Sequence, residues 1–403
     1  MTESSPGQAV PPSPAPTVTI PPLWRLAFRA GFLAAAMFAV LGMARWLYWS
    51  LQPGSWHSTL PPHWWHAHEM VFGFALPVVA GFLLTAVATW TGTTGTRGWR
   101  LQLLFGLWLL ARVVLWLLPQ WLALACLAEL LFIALLMYEL GSRVWSRRQW
   151  RNMLFLPVLA LLALLDYASY QAVNDPLITT GLHYGAVWMI TTFVVIIGGR
   201  VTPLFTGNRL GLKIAPLPLW FESLAIGSVV MIGLVTAFLP ATAANGWLAA
   251  LCLAAGLLHL YRLARWQGWK TRAVPLLWSM HLSYLCVPLA MLGLGWAAGD
   301  PVASKNMIHL LAIGTIGGMI LAMMSRVSLG HTGRPLDVPG YLAWAFAAIF
   351  AAAIVRALLP LVDPGLTAWA WGLSAVLWML AFSAFLYRYL PILTRPRVDG
   401  KPG

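Results

Sequence analysis

Twelve long apolar runs joined by short loops leave this chain one setting in which to fold, a lipid bilayer. Of its 403 residues, 60% are hydrophobic and 9% charged, whereas charged residues make up roughly a quarter of a soluble domain. A hydrocarbon core about 30 Å thick is crossed by about 20 apolar residues at 1.5 Å each. Runs of that length lie at 26–50, 68–90, 100–118, 121–142, 152–170, 178–200, 217–239, 246–265, 273–297, 305–326, 340–360 and 366–390, the third and fourth parted only by Pro119-Gln120. Lipid offers no hydrogen bonds to the backbone, so each run must satisfy its own as a helix. The expected fold is an all-α polytopic membrane protein with twelve transmembrane helices.

The formal net charge of +14 does not point to nucleic acid, because its distribution follows the loops. All but four of the 25 basic residues sit in alternate loops or at the termini; the exceptions are Arg45, Arg112, Lys305 and Arg356. The positive-inside rule therefore expects both termini in the cytoplasm and the basic loops against anionic lipid. Residues 1–22, rich in Pro, Ser and Ala and lacking a basic start, are expected to be a disordered cytoplasmic tail. Cys126, Cys252 and Cys286 lie inside spans with no C-x-x-C spacing, which leaves packing as their expected role.

The runs also repeat. His68, His183 and His309 are each followed 23 residues later by Thr-Gly, and Arg200-Val201-Thr202 and Arg326-Val327-Ser328 each lie 17 residues after their histidine. The offset of 126 that carries His183 to His309 also carries Tyr261-Arg262 to Tyr387-Arg388. One offset that holds at both ends of a unit marks a duplicated structure. The histidines open spans two, six and ten, so the expected units are four-helix repeats at 23–142, 143–266 and 267–390 with pseudo-three-fold symmetry, followed by a cytoplasmic tail at 391–403.

Imidazoles at equivalent depth on three helices are the donors that a haem or metal in a bilayer would need. His68 and His309 are the expected cofactor ligands, and His183 and His281 the expected metal ligands, His281 being placed near mid-membrane. His66 lies two residues from His68, about 200° around a helix, so the pair would serve two sites on opposite faces or one would sit in a loop. Arg112 and Arg356 lie at the depth of the histidines where acids look scarce, which makes them candidates to hold haem propionates. Asp166 reads as the end of span five, and Glu129 as unpaired. Glu69 reads as a residue near a helix start, favoured by the dipole. Arg200, Arg326, His331 and Arg334 fall at the inner ends of spans and read as anchors. Walker A, H-E-x-x-H, nucleophile-elbow and C-x-x-C-H signatures are absent, which leaves hydrolysis and covalent haem without support.

At the level of motifs, His66-Ala67-His68-Glu69-Met70 with Phe72-Gly73-Phe74 resembles the H-A-H-E-M-x-F-G-F signature of the NnrS family. The runs from Gly198 to Thr206 with Asn208, from His309 through Ser325 to Leu336, and from Pro275 to His281 resemble its later blocks, so the likeness spans the membrane region. Phe28-Arg29-Ala30-Gly31-Phe32 departs from the family's usual F-R-P-F-F. The resemblance implies an inner-membrane protein of the bacterial response to nitric oxide that holds haem b and copper. Architecturally, three four-helix units are also how the haem–copper oxidase subunit is built, with spans two and ten clasping a haem, but span seven here has no histidine for a binuclear centre. Three functions follow as expectations: a haem protein that binds nitric oxide or limits its damage, a quinol-linked nitric-oxide reductase or other haem oxidoreductase, and a transporter.

Overall fold

The computed structural model describes residues 20–401 apart from Pro240 and Ala298. The tail expected at 1–22 falls almost wholly outside the described residues. Among the described residues, twelve helices are long and apolar enough to cross a membrane: α1 (Ala27–Leu51), α2 (Pro62–Thr91), α3 (Trp99–Leu117), α4 (Pro119–Ser146), α5 (Trp150–Gln171), α6 (Pro176–Leu210), α7 (Leu219–Phe238), α8 (Gly246–Ala264), α9 (Pro275–Ala297), α10 (Pro301–His331), α11 (Gly340–Val362) and α12 (Pro364–Thr394). No strand occurs among the described residues. Each coincides with an expected span.

The ends of the histidine helices differ from expectation in an informative way. α2 starts at Pro62, six residues before His68, because Pro at the first helical position loses nothing and the Trp-His segment continues the coil. α6 and α10 start at Pro176 and Pro301, behind Asp175 and Asp300. Asp175 Oδ1 accepts the Leu177 and Ile178 amides, both at 3.0 Å, and Asp300 Oδ1 accepts those of Val302 and Ala303 at 2.8 and 3.2 Å. These side-chain caps satisfy amides that a helix start leaves open.

Immediately after His68 and after His309 the helix widens into a π segment, Glu69–Ala75 in α2 and Leu310–Gly317 in α10. α6 carries no such segment after His183. A π turn adds a residue to the turn and re-aims the side chains before it, which is why such turns collect at functional sites.

α1 packs along α2 and α12, α5 along α4 and α6, and α9 along α8 and α10. The apolar windows of α2, α6 and α10 are 83%, 67% and 83% buried, against 28–44% for α3, α4, α5, α7, α8, α11 and α12. The histidine helices, with α1 at 61% and α9 at 67%, therefore form the interior, and the other seven carry the lipid-facing surface. The altered run at Phe28–Phe32 lies in the first turns of α1 and does not disturb the helix start. Gly31 sits where α1 crosses Gly81 of α2 at backbone contact, and a Cβ there would strike the Pro77 carbonyl.

Candidate functional site

One group of buried polar residues gathers at the end opposite the basic loops, in two adjoining sites on the two faces of α2. The first is a closed cage. His68 has no exposed surface and its ring is stacked on Trp64, with centroids 4.5 Å apart and planes at 13°. Its Nδ1 lies 3.2 Å from Glu69 Oε1, and its Nε2 lies 2.9 Å from Asp166 Oδ1 and 3.2 Å from Glu129 Oε2. Arg112 of α3 pairs with Glu129 and, at 3.2 Å, with Glu69. Tyr170 donates its hydroxyl to Glu129 Oε2 at 2.6 Å. Three carboxylates thus face one guanidinium in a region without water access.

The second site is a cavity of about 730 Å³ between α2, α6 and α10, bordered by α1, α11 and α12. This is the size of pockets that hold a cofactor-sized ligand. Its histidines come from all three histidine helices: His63 and His66 of α2, His183 of α6 and His309 of α10. His66 stacks on Trp46 with centroids 4.1 Å apart, and its Nδ1 has no partner. His183 is 4% exposed and its Nε2 has no partner. The His309 ring lies with Nδ1 2.8 Å from the Lys305 carbonyl. A proton on Nδ1 makes that bond and leaves the Nε2 lone pair as an acceptor. The His309 Nε2 lies 3.4 Å from Nη2 of Arg356, which also donates through Nη1 to Asn306 Oδ1 at 2.7 Å. Lys305 and Arg356 both lie against the Trp371 ring, 5.4 and 5.6 Å from its centroid.

The placement of the expected residues divides accordingly. His66, His183, His309 and Arg356 meet at one cavity. His68 and Arg112 are not part of it, because both ring nitrogens of His68 and the guanidinium of Arg112 are engaged by carboxylates. The scarcity of acids at this depth is therefore corrected: Asp166 lies inside α5, five residues before its end, and Glu129 inside α4. Glu69 is likewise corrected from a helix-start residue to the first residue of the π segment, since α2 begins earlier. His66 and His68 do serve opposite faces of α2.

His281 is not at mid-membrane. It lies in the first turns of α9 at the basic-loop end, where its Nε2 meets Thr206 Oγ1 at 2.9 Å and it borders a separate cavity with Trp269 and Trp278. His183 and His281 are thus not brought together. At the same end Arg200 donates to Asn152 at 2.9 Å, and Arg326 covers the Phe205 ring at 3.7 Å. The His331 ring lies 5.5 Å from that of Phe28, and Arg334 donates to the Thr332 carbonyl at 3.4 Å. The last basic exception, Arg45, sits within 4.6–4.9 Å of the rings of Trp56, Trp65 and Trp116. Burying a cation against aromatic faces replaces part of its lost hydration.

Glu129, Asp166 and Tyr170 escaped the sequence reading. The available signal was an acid within an apolar run, which is costly unless partnered, together with an arginine on the neighbouring run. No match to this chain is found among curated proteins. The family model for NnrS protein matches residues 22–397, nearly the whole chain. With its signature histidines lining these two sites and the match covering every membrane helix, the chain belongs to the NnrS family.

Proposed function

We propose that this chain is a haem b protein of the bacterial inner membrane, with both termini cytoplasmic, that binds nitric oxide and protects against nitrosative stress. The observation that carries this reading is the wall of the 730 Å³ cavity, where three interior helices each present an imidazole. The donor set fits a haem. His309 is held at Nδ1 and its Nε2 meets only Arg356, at 3.4 Å, His66 and His183 each have an unpartnered ring nitrogen, and the rest of the lining is mostly aliphatic and aromatic. His309 and His66 are the proposed iron ligands, and Arg356 with Lys305 the proposed partners of the propionates. Bound there, a haem supplies an iron that takes up diatomic ligands or passes single electrons. The chain's own part is to orient the imidazoles, exclude water and offset the propionate charge.

Copper is the second metal of this reading. His183 is the stronger of its two expected donors, because His281 is bonded to Thr206 and lies at the other end of the molecule. We also read the helices as three four-helix units of the oxidase type. The π segments directly after His68 and His309, and the equivalent packing around α1, α5 and α9, support that reading.

The optical spectrum of the purified protein tests the proposal. Split low-spin haem bands are expected, lost or converted to high-spin in His309→Ala and His66→Ala and retained in His68→Ala. A folded preparation free of haem after haem supplementation overturns the reading and favours transport. Anaerobic consumption of nitric oxide with a reduced quinol separates a binder from a reductase.

A further inference from the structure

The carboxylate cage is built like a metal site, and it is distinct from the haem cavity. His68 Nε2, Asp166 Oδ1 and Glu129 Oε2 come from α2, α5 and α4, and one ligand atom from each lies within 4.8 Å of the others. Two of the separations are 2.9 and 3.2 Å. Donors on a sphere of about 2.0–2.2 Å around one ion, subtending 90–110°, are about 3–3.5 Å apart. The same distances suit hydrogen bonds, so the decision rests on what surrounds the three atoms.

Three observations favour an ion. First, His68 Nδ1 meets Glu69 Oε1 at 3.2 Å. That carboxylate–histidine contact fixes the proton on Nδ1 and turns the Nε2 lone pair toward Asp166 and Glu129, as the outer partner of a metal-bound imidazole does. Second, Glu69, Glu129 and Asp166 bring three carboxylates to one guanidinium, that of Arg112, with none of these side chains more than 4% exposed. With His68 neutral the cage holds two negative charges in excess, which one divalent cation cancels. Third, buried donor atoms remain without partners: Asp166 Oδ2, Glu69 Oε2 and, beside the cage, Nε2 of His183, whose ring centroid is 6.2 Å from that of His68. Thus the site leaves donor atoms for further coordination.

We propose that His68, Glu129 and Asp166 bind a first-row divalent ion of the iron(II), manganese(II) or zinc(II) kind, with Glu69 orienting the histidine and Arg112 and Tyr170 orienting Glu129. One imidazole and two carboxylates form a hard-to-borderline donor set that suits these ions better than a thiolate-seeking one. The site does not depend on the haem assignment.

Manganese(II) alone, titrated into chelator-treated full-length protein in detergent, is the probe, because free ion gives a six-line paramagnetic resonance signal that binding quenches. About one equivalent is expected to bind to wild type and to His309→Ala, and none in this range to Asp166→Asn or Glu129→Gln. Glu69→Gln should weaken binding by about 10–100-fold, as for other outer partners. Zinc(II) should compete, and zinc absorption spectroscopy of wild type should show one imidazole with oxygen donors, a result that needs no variant to fold. Wild-type protein that binds neither ion overturns the proposal, as does binding unchanged in monodisperse Asp166→Asn and Glu129→Gln. Binding lost in His309→Ala but kept in those two variants would assign the ion to the cavity instead.

Discussion

His68 Nε2 and Asp166 Oδ1 stand 2.9 Å apart, on helices α2 and α5, with neither side chain exposed. The contact links residues 98 positions apart. It places a carboxylate in the membrane interior whose charge must be met locally. Without an ion, the counter-charge is Arg112. Removing one partner of a buried pair leaves the other uncompensated, at a cost of about 3–5 kcal/mol. Arg112→Met should therefore lower the thermal midpoint of the apoprotein far more than Arg200→Met, which loses a partly buried hydrogen bond to Asn152 and an exposed one to the Arg151 carbonyl that water can replace. The double variant Arg112→Met/Glu129→Gln should recover part of the loss. Equal melting of Arg112→Met and Arg200→Met would remove the cage from the account of stability.

Much of this architecture is legible in the residues. Each of the twelve spans is a run of apolar side chains, and the local requirement that a backbone in lipid bond to itself decides the rest. The meeting of His183 and His309 follows from their repeated place on interior helices, but the repeat joins them to His68, whereas at the cavity His66 stands in its stead. What stays hidden is set by rotation about a helix axis. Whether His66 or His68 faces the cavity depends on where α2 begins and on the π segment after His68, neither of which apolar periodicity reports. Asp166 and Glu129 look isolated along the chain because their partners are brought in by neighbouring helices.

At the basic-loop end, Arg262 of α8 donates to Glu222 of α7 and to the Val195 carbonyl of α6 at 3.0 Å. It also donates to the Tyr284 hydroxyl of α9 at 2.5 Å. Gly199 makes room for it: a Cβ there would overlap the guanidinium, whereas one at Gly198 would reach Met319 Cε at 3.4 Å, an ordinary contact. Gly199→Ala should destabilise by about 1–3 kcal/mol through overpacking. Gly198→Ala should be neutral or stabilising by up to about 1 kcal/mol, since both positions are helical. Thermal unfolding of the two variants in one detergent checks the difference, and matched midpoints would contradict the packing described.

Beyond α12 the chain folds back on itself. Arg397 reaches the His331 carbonyl at 2.7 Å and holds both oxygens of Asp399, at 2.8 and 2.6 Å. Hydrogen bonds from Arg397 come first among the causes that hold the Asp399 carboxyl below the usual carboxylate range. A depressed value means the contact contributes above the unfolded pKa and is lost only as pH falls through the folded one. The clip should therefore stay closed from pH 7 down through about 4, where a free aspartate begins to protonate. A spin label at Lys401→Cys reports this selectively, because the three native cysteines are buried. Its mobility should not change over that range, and Asp399→Asn should mobilise it throughout.

The same end of the molecule is tied to its beginning by Arg29, which has no exposed surface and donates through Nη1 to the carbonyls of Leu393 and Arg395 at 2.9 and 2.8 Å. The last carbonyls of a helix have no partner within it, and in α12 a cation from α1 fills that place. Charged hydrogen bonds of this kind contribute about 1.5–3 kcal/mol each. Arg29→Met should cost several times the change expected for Arg200→Met and should expose the end of α12 first. Arg29→Lys should restore the charge but little of the stability, because the shorter lysine stem leaves its ammonium short of the place where Nη1 meets these carbonyls. Hydrogen exchange at residues 390–395, followed alongside the global melt, distinguishes the outcomes. Protection in Arg29→Met equal to wild type would mean that α12 is closed by something other than Arg29.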